Sequence, residues 1–195
     1  GLTIGFAEGI FGVSSCFIMV IPNSRDGKDT VLMFSDCAVA IQPTAEELAQ
    51  IAISIAATTR TLLSTEPKVA MLSFSTKGSA SHINVDKITT ATQIVRRRMP
   101  NLIIDGELQG DAARVKTVAD QKLTDSPVAG NANVLFPDLD AGNIAYKLVQ
   151  SLAKAQAYGH IIQGLRKPMN DMSRGVSVED LVDVAAITTV QSGGC

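Results

Sequence analysis

A chain of 195 residues with 46% apolar residues can bury a large core and suits one domain, or one domain with an added fragment. Seventeen Lys and Arg against nineteen Asp and Glu leave a net charge of −2, so no broad electrostatic field draws it to nucleic acid or anionic lipid. With no Trp and only two Tyr there is little surface on which to stack bases, and the longest apolar run, 16–21, is too short to span a bilayer.

In chain order, 13–21 reads as a strand that ends at Pro22-Asn23-Ser24-Arg25-Asp26-Gly27, a stretch with the turn chemistry of a loop. A second apolar run over 31–35 follows and ends at Asp36, so the pair predicts an antiparallel hairpin. Thr44 and Glu47 stand at the spacing of a capping box, and Leu48, Ile51, Ala52 and Ile55 recur at helical spacing behind them, which predicts a helix over 44–63. From there strands and helices alternate. Strands are expected at 69–74, 102–105, 132–136 and 160–165, with helices at 84–99, 111–122, 143–157 and 177–190. The strands are continuous apolar runs, as in a mostly parallel sheet with helices on both faces. The predicted class is therefore α/β. Cys16, Cys37 and Cys195 are odd in number and form no CxxC pair. The first two sit in strand contexts as small hydrophobes, and a reducing cytoplasm suits them.

Several polar loops are candidate sites. Ser75-Thr76-Lys77-Gly78-Ser79-Ala80-Ser81 follows a strand with hydroxyls, a lysine and a glycine, a composition that suits an anion nest, although the GxxxxGK[ST] spacing of a P-loop is absent. Asp105-Gly106-Glu107 is read as lying just past a strand end, where its carboxylates pair a neighbouring Arg or cap the next helix. His82 and His160 are isolated, so a metal cluster is not expected. Asp138-Leu139-Asp140-Ala141-Gly142-Asn143 precedes the 143–157 helix, with Gly142 allowing close backbone approach and Asn143 able to cap. In Ser173-Arg174-Gly175-Val176-Ser177-Val178-Glu179-Asp180, Ser177 and Asp180 suit a helix start, while Ser173 and Arg174 suit either a solvated turn or a site. Arg96, Arg97 and Arg98 end a helix, where cations are favoured. Gly5, Gly9 and Gly12 precede a strand and make no dinucleotide fingerprint.

These motifs, together with Val69-Ala70-Met71-Leu72-Ser73-Phe74, Ser126-Pro127-Val128-Ala129-Gly130, Leu135-Phe136-Pro137 and Lys167-Pro168-Met169-Asn170-Asp171-Met172, fall in one order along nearly the whole chain. In that order the chain resembles the phosphate acetyltransferase (phosphotransacetylase) family. The resemblance implies an architecture like that of isocitrate and isopropylmalate dehydrogenases, with an α/β domain at 1–165. It also implies a cleft loop and C-terminal helix at 166–195 that pack on an absent N-terminal domain. The implied reaction is reversible transfer of acetyl between acetyl-CoA and phosphate, by direct thiolate attack in a ternary complex, with coenzyme A as a substrate and no cofactor. Such a transfer needs a base for the thiol, a donor for the acyl oxygen and a forked cation for phosphate. Asp180, Ser173 and Arg174 match the family positions for these roles. Ser75, Thr76, Lys77, Gly78 and Ser79, with Asp138, Gly142 and Asn143, are then expected to line the coenzyme A and phosphate cleft.

The family dimerises, and the apolar stretch Phe17-Ile18-Met19-Val20 is the candidate edge for a homodimer. Residue 1 is Gly, with no initiator Met and no basic-then-apolar signal, and the chain reads as a truncated or processed product. Family members hold phosphate and coenzyme A with arginines upstream of this stretch, so this chain alone is expected to transfer acetyl weakly or not at all. Val176 stands where the family often has cysteine, and Ser24 stands near another such position. Neither change matters to a reaction without a covalent thiol. Two other readings remain: a non-catalytic acyl-CoA sensor like the domain fused to some malic enzymes, and a phosphate butyryltransferase.

Overall fold

Thr44 opens the longest helix as its capping box predicts. Its hydroxyl accepts from the Glu47 N–H, the Glu47 carboxylate accepts from the Thr44 N–H at 2.7 Å, and the helix runs over Ala45–Leu63. The structure, a computed structural model, describes residues 3–25, 27–172 and 175–193. In chain order the elements are β1 (Ser14–Arg25), β2 (Lys28–Ser35), α1 (Ala45–Leu63), β3 (Lys68–Leu72), α2 (Ile83–Arg98) and β4 (Ile103–Leu108). They continue with α3 (Gly110–Arg114), α4 (Lys116–Lys122), β5 (Val134–Phe136), α5 (Leu139–Leu152), β6 (Gln156–Gln163) and α6 (Val178–Gln191).

The strands form one sheet in the order β4-β3-β5-β2-β1-β6. β4, β3, β5 and β2 pair in parallel, whereas β1 pairs antiparallel with both β2 and β6. Five described strands therefore run one way and β1 runs against them. Alternate side chains of each strand serve opposite faces. Val69 and Met71 of β3, with Val134 and Phe136 of β5, pack on one side against Leu48 and Ile55 of α1 and Ile88 and Val95 of α2. Ala70 and Leu135 point to the other side, with Phe17, Phe34, Val128 and Tyr146 of α5. Helices cover both faces, which is why the strands read as unbroken apolar runs.

The structure corrects the element boundaries in five places. β1 continues through Pro22 and Asn23, inside the predicted loop, and pairs Arg25 with Lys28. β4 runs on to Leu108, so Asp105, Gly106 and Glu107 lie within a strand and not past its end. The helix expected at 111–122 breaks at Val115, which is extended at φ −106 and ψ 111. α5 starts at Leu139 behind the cap Asp138 and stops at Leu152, so Asn143 lies inside the helix and does not cap it. β6 begins at Gln156, four residues before the predicted start. The stretch Phe17-Ile18-Met19-Val20 lies between β2 and β6, with Phe17, Ile18 and Met19 buried, so it is an interior strand and offers no free edge.

Gly142 lets α5 approach the end of β2 closely. A Cβ there would stand 2.6 Å from the Asp36 carbonyl oxygen and 3.3 Å from Cys37 Sγ. Backbone cannot yield that much locally, so Gly142→Ala is expected to destabilise the fold by about 1–3 kcal/mol. A lower urea midpoint at unchanged slope would register this, and an unchanged midpoint would show that α5 shifts freely. α6 lies against α1 and β6 and buries Val184, while Val178, Leu181 and Val182 remain exposed. No described helix is long and apolar enough to cross a membrane.

Candidate active site

The loop after β3 turns sharply at Lys77 and Gly78, both at positive φ (47 and 80), and wraps two carboxylates that rise from β4. Glu107 accepts from the Gly78 N–H at 2.6 Å and from the Ser75 hydroxyl at 3.0 Å. Asp105 accepts from Lys77 Nζ at 2.5 Å, Arg96 at 2.6 Å, the Ser126 hydroxyl at 2.5 Å and the Gly106 N–H at 2.9 Å. Ser79 Oγ accepts from the Thr76 N–H at 3.0 Å, and Thr76 Oγ1 accepts from the Gln109 N–H at 2.9 Å. The expected nest over 75–79 thus encloses an anion, and in this structure the anion is the protein's own Glu107. Burial pushes both carboxyls up. The Gly78 N–H at Glu107, and the Lys77 and Ser126 hydrogen bonds at Asp105, outweigh it and hold both below the usual carboxylate range.

Asp138 caps α5, accepting from the Ala141 N–H at 2.9 Å. It also lines a mostly apolar cavity of about 380 Å³ with Phe34, Leu72, Phe74 and Ile88. Asn143 donates from Nδ2 to the Cys37 carbonyl at 2.9 Å, so it and Gly142 tie α5 to the turn after β2. That turn is itself organised by buried Asp36, which accepts from the Ser15 hydroxyl at 2.5 Å and the Ala40 N–H at 2.8 Å. Beside it, burial and then the Asp36 charge push the Cys37 thiol up to about 12, and burial raises Cys16 in the same way. Both are protonated, inert core side chains.

Asp180 stands in a separate cleft of about 180 Å³ between α5, β6 and the start of α6. It occupies the third position of α6 and completes a second capping box, accepting from the Ser177 hydroxyl at 2.7 Å and the Ser177 N–H at 3.0 Å. Those two donors hold its carboxyl below the ordinary value, so it is a partly exposed, ionised carboxylate that also serves as a cap. Gly175 and Val176 line the same cleft, and Ser173 and Arg174 lie outside the described residues. Lys147, Tyr158 and His160 line the cleft with Asp180. Phe17 forms the floor, stacked on Tyr146 with centroids 4.2 Å apart and meeting the His160 ring edge-on at 4.9 Å. Lys147 Nζ lies 5.0 Å from the Tyr146 ring centre.

A sequence model described as phosphate acetyl/butaryl transferase matches residues 2–189. The chain belongs to this family. It is 61% identical over 187 residues to a phosphate acetyltransferase of Thermoanaerobacterium thermosaccharolyticum, covering 95% of this chain and 57% of that protein. A phosphate acetyltransferase of Clostridium acetobutylicum is 57% identical over the same length, with 95% and 56% covered. Among solved structures, a phosphotransacetylase from Streptococcus pyogenes superposes with a TM-score of 0.91 at 47% identity, over 98% of this chain and 57% of that one. The chain therefore spans a little over half the length of these relatives.

Among family positions carried over from sequence, Asp180 lies in the aromatic cleft, while Asp138 lines a different cavity and 75–79 closes on β4. Phe17, Tyr146, Lys147, Tyr158 and His160 escaped the sequence reading because they are scattered over β1, α5 and β6. No alternation along β6 would have linked Tyr158 with His160, because the pairing with β1 is irregular between them and Tyr158 packs on the Ile18 face while His160 meets Phe17 on the other.

Proposed function

We propose that this chain carries the acyl-transfer centre of a phosphate acetyltransferase, interconverting acetyl-CoA and phosphate with coenzyme A and acetyl phosphate. The carrying observation is an ionised carboxylate, Asp180, in a cleft walled by aromatic rings and by Gly175 and Val176, in a chain of this family. Written toward acetyl-CoA, the coenzyme A thiol passes its proton to Asp180. The thiolate then forms the S–C bond to the acetyl carbonyl, and the C–O bond to phosphate breaks as phosphate leaves. Ser173 donates to the carbonyl oxygen as it gains charge, and Arg174 holds the departing phosphate in a forked contact. The positioned base contributes about 10²–10⁴-fold and one oxyanion donor about 3–4 kcal/mol. Holding both substrates together contributes about 7–11 kcal/mol.

Direct transfer, with no acyl-enzyme on sulfur, agrees with the sealed, protonated state of Cys16 and Cys37. Asp180 also favours an enzyme over an acyl-CoA sensor, which needs no base. For the companions of this reading we propose a homodimer in the cytoplasm. The exposed stripe Ile144, Leu148 and Leu152, spaced four residues apart on α5, is apolar surface that a second copy would cover. The test is thiol release from acetyl-CoA by the full gene product. Release that depends on phosphate and yields acetyl phosphate is expected, and release independent of phosphate, or none, overturns the reading. Rates with propionyl-CoA and butyryl-CoA set the acyl preference, since each methylene is worth about 1–3 kcal/mol.

A further inference from the structure

We propose that the apolar cavity at the carboxyl ends of β3 and β5 is a nucleotide site, taking a purine base against Phe74 and its phosphate at Lys87. The two strands are parallel neighbours, with Met71 paired to Phe136 at their ends. The chain leaves β3 for α2, which packs on one face of the sheet, and leaves β5 for α5, which packs on the other. A crevice opens where the two connections part, and in parallel α/β sheets that parting is where ligands bind. The stretches 72–74 and 137–138, which follow the strands, line the cavity of about 380 Å³ together with the N-terminal turns of both helices.

The fold leaves the groups around this crevice unspent. Phe74 is 57% exposed and meets the His82 ring edge-on at 5.9 Å. An exposed aromatic ring bordering an apolar crevice is a stacking surface for a base. Among the described residues, the Asn84 side-chain amide and the Lys87 ammonium have no hydrogen-bond or ion-pair partner, and the Asp138 cap on α5 uses Oδ1 alone. An amide presents a donor and an acceptor together, the pattern that an adenine edge answers. A lysine supplies a point charge for phosphate, and a carboxylate oxygen accepts from a ribose hydroxyl. An aliphatic chain would fill the apolar wall but leave the amide, carboxylate and ammonium desolvated without partners. A nucleotide answers all of them.

The cavity also adjoins the Asp180 cleft. Phe17 and Phe34 are paired across β1 and β2 and line one pocket each, as do the successive α5 residues Tyr146 and Ala145. The nucleotide therefore has two sources: the nucleotide end of a coenzyme A molecule whose thiol lies at Asp180, or a free nucleotide bound beside it. The site rests on the geometry, and only the first source rests on the acyl-transfer reading.

The test uses Phe74→Ala and Lys87→Met in the full gene product, with coenzyme A and ADP as calorimetric probes alongside KM for phosphate. F74A is expected to weaken nucleotide binding at least about fivefold, and K87M about three- to tenfold with a shallower dependence on salt. Phosphate KM and the melting temperature should hold, since both side chains are at least partly exposed. Weakened coenzyme A binding identifies the nucleotide as its own end, and weakened ADP binding with coenzyme A unchanged identifies a separate nucleotide. Unchanged affinity for both probes in either variant, a phosphate KM that rises in step with the Kd, or no binding of either probe by the unaltered protein overturns the site. Phosphate-dependent thiol release by the unaltered protein tests the acyl-transfer reading separately.

Discussion

Asp180→Asn in the full gene product is expected to slow acetyl exchange by about 10²–10⁴-fold, mainly in kcat, because the substituted side chain cannot take the thiol proton. The variant discriminates well between the two roles of this residue. The amide oxygen still accepts from the N–H and hydroxyl of Ser177, which now reach the carboxylate at 3.0 and 2.7 Å, so the start of α6 survives and the melting temperature stays close to that of the unaltered protein. Ser177→Ala is the reciprocal variant. It frays the helix start but keeps the carboxylate, and is expected to slow exchange far less. If D180N exchanges acetyl at the original rate, the carboxylate is a cap alone and the proton has another destination. The pH profile offers a second check. The Ser177 donors lower the Asp180 value, so the carboxylate is ionised throughout neutral pH, and an acid limb due to it lies below the ordinary value of 3.8.

Asp105→Ala is expected to give the largest loss of stability, about 3–5 kcal/mol, through removal of the centre of a buried charged network. Asp105 is 1% exposed and joins Lys77, Arg96 and Ser126, from three separate segments, at 2.5 to 2.6 Å. Because Lys77 and Arg96 are partly exposed and can rehydrate, the lower end of that range applies, a fall in melting temperature of about 6–12 °C. The sign with pH follows from the lowered carboxyl. Burial alone would raise it, the surrounding donors more than compensate, and the folded value lies below 3.8. Its stabilisation is therefore complete above the unfolded value and is lost as pH falls through the folded one. The stability difference between unaltered protein and Asp105→Asn should be constant near neutral pH and shrink below about pH 4. A difference that persists undiminished at pH 3 would show that the charge does not matter.

Both sites bear on what was legible from residue order. α1 was readable to within a residue because its signals are local: a cap, its partner three positions on, and an apolar repeat. The end of β4 was not. A strand reading stops at the first carboxylate, and what lets Asp105 and Glu107 stay inside the sheet is a set of donors from 75–79, Arg96 and Ser126 that folding alone brings together. The break at Val115 carries no Gly or Pro to announce it. At α5 the glycine looked like a turn residue, but its role is to let a helix pass close to the Asp36 carbonyl, a partner 106 positions earlier than Gly142 in the chain. The cleft shows the same division. Asp180 belongs to a contiguous motif and was found, whereas the rings lining the cleft with it come from β1, α5 and β6 and share no local pattern.

The reversed strand next to the β6 edge of the sheet has a bearing on biosynthesis. β1 and β2 are neighbours in sequence and can zip together as soon as both have emerged, but the other flank of β1 waits for residues 156–163. At ordinary ribosomal speeds that wait is on the order of ten seconds, during which an apolar strand rim is open to any passing polypeptide. Nascent chains stalled before Gln156 should therefore engage holding chaperones strongly, and those extended beyond β6 should release them.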